Sequence, residues 1–201
     1  MNIHKINGFI PILVIVCILT LAFSVNSFAH TNEVDEVYGK YGSFDVVYDE
    51  YMKAVKDGNI EKMSELEKIA EDSLQKEIET GEKELALSNS IPEYMPTMTR
   101  MDPDEQYYLN LFWRYFNNGY WEWRANVLCL TLQSKLNYWS SSDKANGWAA
   151  TYTRFRKSSN WRNTNIMQQQ FYCHARLGYA VYDHTWNLEP GRTSMNPITC
   201  N

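Results

Sequence analysis

Apolar residues fall at Phe44, Val47, Tyr48, Tyr51, Met52 and Val55, the spacing that lines one face of an α-helix. Asp57-Gly58-Asn59 then ends the pattern. A second stripe runs through Ile60, Met63, Leu66, Ala70, Leu74, Ile78, Gly81 and Leu85, with Glu and Lys filling the opposite face. Together they predict an antiparallel helical hairpin. Such a pair buries little apolar surface alone, so it must pack on the rest of the chain.

Between Ser88 and Asp104 stand Pro92, Pro96 and Pro103, which argue against continuous helix or strand and predict a linker over 89–104. Beyond it the aromatic density rises. Tyr107 to Phe116 and Tyr120 to Leu132 are rich in β-favouring residues and meet at Asn118-Gly119, the preferred pair for a type I′ turn. This predicts a β-hairpin in which Phe116 faces Trp121, Arg114 faces Trp123 and Trp113 faces Arg124, with one Arg–Trp pair on each sheet face.

The run from Ser140 to Asp143 supplies N-cap residues for a helix carrying Ala145, Trp148, Ala149, Tyr152 and Phe155 on one side. Arg154, Arg156 and Lys157 collect in its last turn, where the helix dipole favours cations. Asn165 and Gln168 have capping-box spacing and open a last helix whose stripe is Ile166, Gln170, Cys173, Leu177 and Val181. The fold class is therefore α+β. An N-terminal acidic helical hairpin precedes a small domain in which an antiparallel β-hairpin packs on two helices.

Composition adds compartment and charge. Lys5, the apolar run Phe9 to Phe23 and Ser27-Phe28-Ala29 form a signal-peptide pattern over residues 1–29, with cleavage expected after Ala29. That run is shorter than the roughly 20 residues that cross a bilayer, so the mature chain is expected to be secreted and to lack a transmembrane segment. The remainder divides into an acidic helical region at 30–88, the linker at 89–104 and an α+β domain at 105–201. From His30 to Asp104 there are 8 Lys plus Arg against 19 Asp plus Glu, net −11, and from Glu105 onward 10 against 5, net +5. The ordinary explanation is a solvated acidic helix face; the sharper one is that the acidic part docks on, and masks, the basic part.

Export makes an oxidising compartment the setting for Cys129, Cys173 and Cys200, which allow one pair and one odd thiol. Three pairings are formally possible. Cys173 with Cys200 is preferred because it ties the C-terminal tail to a helix, and Cys129, in an apolar pattern, is expected to be a buried free thiol. A polar Gln170 within an apolar stripe needs partners, and the Trp186–Arg192 loop, folded back by that disulfide, can offer its backbone and Glu189 to Gln170 and His174. Glu189 and Arg192 are expected to bridge.

Gln170, Cys173-His174, Trp186-Asn187-Leu188-Glu189-Pro190 with Arg192, and Cys200-Asn201 resemble the signature of the secreted bacterial domain-of-unknown-function family 2599. The resemblance covers roughly the last ninety residues and leaves out the acidic region. Cys129 and Gly191 depart from it. Membership implies export and a common fold but no established activity.

Chemistry is possible at the clasp, since His174, Asp183, His184, Glu189 and Arg192 supply acid, base and anion-binding groups. Their spacing matches no metal or nucleophile motif, no cofactor is implied, and a disulfide-bonded Cys173 is neither nucleophile nor thiolate ligand. The leading expectation is a non-enzymatic extracellular binding module whose aromatic and cationic surface, Trp113, Arg114, Trp121, Trp123 and Arg124, takes cell-wall material, another anionic polymer or a protein. No nucleic-acid signature accompanies it. Two alternatives differ in class: a proprotein whose acidic region masks a toxin-like C-terminal domain until the linker near Arg100 is cut, and an extracellular hydrolase centred on His174 and Glu189.

Overall fold

A 3-10 turn over Gly39–Tyr41 leads into helix α1 (Phe44–Asp57), and Gly58, at φ 67°, closes it by donating its N–H to the carbonyls of Ala54 and Val55. The Asn59 side chain accepts from Lys62 N at 3.0 Å and caps helix α2 (Ile60–Ser88). These are the first elements of a computed structural model that describes residues 36–88, 103–177 and 185–200. Residues 1–35, on which the signal-peptide expectation falls, and 89–102 lie outside the described residues, as do Val181, Asp183 and His184. In α1 the buried face is Phe44, Val47, Tyr51 and Ala54, so the expected stripe is rotated and Met52 and Val55 are exposed.

Helix α3 (Pro103–Tyr115) stands where a strand was expected. Pro103 at the first helical position and Asp104 and Glu105 in the first turn favour helix initiation. Phe112, Tyr115 and Phe116, at three- and four-residue spacing, bury one side, and this burial overrides the β preference of the aromatics. The final two residues of the expected linker, Pro103 and Asp104, belong to this helix.

Strand β1 (Phe116–Arg124) follows directly and pairs antiparallel with β2 (Val127–Ser134). The turn is Ala125-Asn126, with φ 47° and 68°, and not Asn118-Gly119. Two positive φ values match the right-handed strand twist, as a type I′ turn requires. Gly119 faces Leu132 within the ladder, and a Cβ there would lie 2.8 Å from Phe112 and 2.9 Å from Phe155. Its lack of a side chain serves packing, not the turn.

Helix α4 (Ser141–Phe155) starts on the Ser140–Asp143 capping box, and helix α5 covers Thr164–Leu177. Gln168 does not complete a capping box. Its amide crosses to Glu82 on α2, 3.1 Å away. Strand β3 (Thr185–Leu188) pairs antiparallel with β2 and completes a three-stranded sheet, so Trp186, Asn187 and Leu188 of the expected clasp loop are strand.

The chain is an α+β fold of five described helices and this sheet. One sheet face, with Gly119, Trp121, Leu130, Leu132, Trp186 and Leu188, packs on Phe112, Trp139, Phe155, Met167 and Phe171. Leu74 and Ile78 of α2 join the same core. A second core joins Tyr38, Phe44, Val47, Tyr51, Leu66 and Ala70 to Ile198 from the C-terminal tail. Among the described residues, no helix is long and apolar enough to cross a membrane.

Candidate functional site

Cys173 and Cys200 form the disulfide, with Cα atoms 5.6 Å apart, and Cys129 is a buried free thiol. The bond fixes the segment after β3 against α5. Gln170 is fully buried, and its Oε1 accepts from the backbone N–H of Glu189 at 2.8 Å. Its Nε2 has no hydrogen-bond partner among the described residues. The Glu189 carboxylate takes two hydrogen bonds from Arg192, Nε at 2.5 Å and Nη2 at 3.2 Å. Asn163, at φ 51°, donates to the carbonyls of Pro190 and Arg192 and so pins the turn from outside. His174 stacks on Trp186, with ring centroids 5.9 Å apart and planes 10° from parallel.

Gln170, Glu189 and Arg192 are thus brought into one network. Both Glu189 oxygens already accept from a guanidinium, so using this carboxylate as a base would first break that pair. Among the described residues, no group of His, Cys, Asp or Glu is placed to hold a metal ion.

The residues expected to form a binding surface are dispersed. Trp113 and Arg114 are on α3, where the Arg154 guanidinium lies 4.5 Å from the Trp113 ring centroid and Arg114 lies 5.8 Å from that of Tyr115. In the ladder Trp121 faces Leu130, Trp123 faces Leu128 and Arg124 faces Val127, so the expected Arg–Trp cross-strand pairs do not form. The physical reasons are that Trp113 and Arg114 lie on helix α3, outside the ladder, and that the displaced turn gives Trp123 and Arg124 other partners. Arg124 instead sits 3.5 Å from Glu122, which also accepts from Thr131 Oγ1 at 2.6 Å.

Trp123 nevertheless remains 72% exposed, because it lies at the turn end of β1, whereas Trp121 is packed edge-on against Phe155. It borders a cleft of about 410 Å³ that joins the hairpin end to the clasp. Val127 and Leu128 add apolar wall, and Arg162, Glu189 and Arg192 supply charge. Sequence reasoning passed over Arg162, because the segment Ser158–Asn163 carries no periodic signal and reads as a connection. A second cleft, about 550 Å³, separates α2 from the segment after the clasp, with Glu67, Glu71 and Asp72 on one side and Arg192 and Asn196 on the other.

A further cluster is buried where the acidic hairpin meets the domain. Glu77 of α2 lies between Lys144 of α4 (2.7 Å) and Arg176 of α5 (3.1 Å). Burial pushes the Glu77 carboxyl up, but the charges of Arg176 and Lys144 outweigh it and hold the group below its ordinary range. Arg176 also donates to Ala70 O at 3.2 Å and lies 4.6 Å from the Phe44 ring centroid. No family model, curated protein or solved structure matches the chain.

Proposed function

We propose that this chain is a secreted bacterial binding module, export being what its resemblance to family 2599 implies, and that it holds an extracellular polymer without transforming it. The observation that carries this reading is the position of Trp123. A large apolar ring left in water beside a concave, partly cationic surface marks a contact site more readily than a structural one. The clasp supports this reading as scaffold, since its buried amide and its carboxylate–guanidinium pair fix one wall of the cleft.

The test is retention on purified cell wall and on anionic polymers. Trp123→Ala is expected to lower retention by roughly tenfold, the scale of losing a central aromatic anchor, while leaving circular dichroism unchanged. Equal retention of wild type and variant would remove the reading.

The proprotein alternative draws on the charge split, but α2 contributes Leu74 and Ile78 to the main core and Glu77 to a buried ionic cluster. Cutting it away would expose that core, which favours α2 as part of the fold over a removable mask. The hydrolase alternative is supported less, since Glu189 is engaged by Arg192 and His174 stacks on Trp186.

A further inference from the structure

We infer that the cleft between the hairpin end and the clasp binds a saccharide unit carrying a single negative charge, such as a uronic acid residue within a polymer. This rests on the binding-module reading and narrows it to one ligand chemistry.

The argument begins with shape. Trp123 offers an uncovered aromatic face, with Val127 and Leu128 beside it. A pyranose ring presents a C–H-rich face of matching size, and its hydroxyls can remain in water, which suits an open cleft. The volume of about 410 Å³ accommodates a sugar unit or two.

Charge supplies the second step. Three charged side chains line the cleft: Arg162, Arg192 and Glu189. Arg192 and Glu189 are joined by two hydrogen bonds and cancel. Arg162 is exposed and makes no ion pair among the described residues. The balance is a single uncompensated positive charge, which selects one anionic group per unit. A nucleic acid or other dense polyanion needs several neutralising cations in a row, and the chain as a whole carries net charge −5.

Gly191 supplies the third. A Cβ at this position would stand 3.6 Å from Arg162 Nη2, ordinary contact distance. Any longer side chain would extend into the space beside that guanidinium or push it away. The absence of a side chain keeps Arg162 open to a ligand.

The experiment is calorimetric titration of the full chain with trigalacturonic acid and with its methyl ester, in which the charge is masked and the rings are kept. Wild type is expected to bind the acid about fivefold more tightly than the ester, the scale of one exposed charge pair. Arg162→Gln should abolish that preference without changing ester affinity, and Trp123→Ala should weaken both ligands roughly tenfold. Gly191→Leu should reduce acid binding while circular dichroism stays unchanged.

Equal affinity for acid and ester, or a preference that survives Arg162→Gln, overturns the inference. If Trp123→Ala still reduces both in that case, the binding-module reading stands and only the charge selection fails. Failure of wild type to bind either trisaccharide overturns the saccharide assignment, and retention on cell wall then decides the broader reading separately. Tighter binding of an oligothymidylate than of the acid overturns it as well.

Discussion

Glu77 is the residue on which the union of the acidic hairpin and the domain is most concentrated. Glu77→Gln would leave Lys144 and Arg176 buried without their counter-charge, and breaking such a cluster costs about 3–5 kcal/mol, measurable as a lower urea midpoint. The pH dependence has a definite sign. The folded-state carboxyl is held below its unfolded value, so its contribution is fully present above the ordinary carboxylate range and is lost as pH falls through and below it. Between about pH 7 and pH 3, wild type should lose more stability than Glu77→Gln, and a parallel loss in both proteins would sink this assignment. Gly119 offers a second test, since the Cβ of Gly119→Ala would press on two buried rings and cost about 1–3 kcal/mol. Neither role is legible in the sequence. One Glu among many on an amphipathic helix looks solvated, and a glycine after asparagine looks like a turn, because the partners that decide both lie many positions away.

At the level of elements, legibility follows how local the deciding interactions are. The helical hairpin, the stop at Gly58 and the start at Ser140 all depend on contacts within a few residues, and each is visible in the sequence. Helix α3 and strand β3 are not. Aromatic residues in α3 favour strand by propensity and become helical because Phe112 and Tyr115 bury one side, while β3 has only four residues and owes its extension to pairing with β2. The missed turn makes a prediction of its own. Ala125 and Asn126 occupy positive φ without the preferred Asn-Gly pair. Ala125→Asn with Asn126→Gly should raise stability by roughly 0.5–1 kcal/mol, read as a higher Tm. A lower Tm would mean that the turn residues do more than close the hairpin. Part of the candidate site shares this history, since the helical setting of Trp113 and Arg114 and the displaced turn scattered the expected Arg–Trp pairs and left Trp123 as the residue of that group on the cleft.

For the whole molecule the disulfide is the lever. Its sequence separation of 27 predicts a loss of about 3–4 kcal/mol on Cys173→Ser with Cys200→Ser. The loss should also reach α1, because Ile198 is seated in the core that α1 and α2 share and Asn196 donates to Tyr51 Oη (3.1 Å) and Glu67 (2.8 Å). Hydrogen exchange in α1 should therefore accelerate in the double variant even though the substituted residues lie outside that helix, and unchanged protection of α1 would contradict the coupling. The same contact bears on how the protein comes into being. Asn196 meets Tyr51 across a sequence separation of 145, so a chain delivered N-terminus first presents α1 and α2 long before their covering residues arrive. Contacts so distant in sequence form late, and the core that Ile198 shares with α1 and α2 is completed only once the last residues have arrived. Delivery order and packing order therefore run opposite ways here: the first helices made are the last to be sealed.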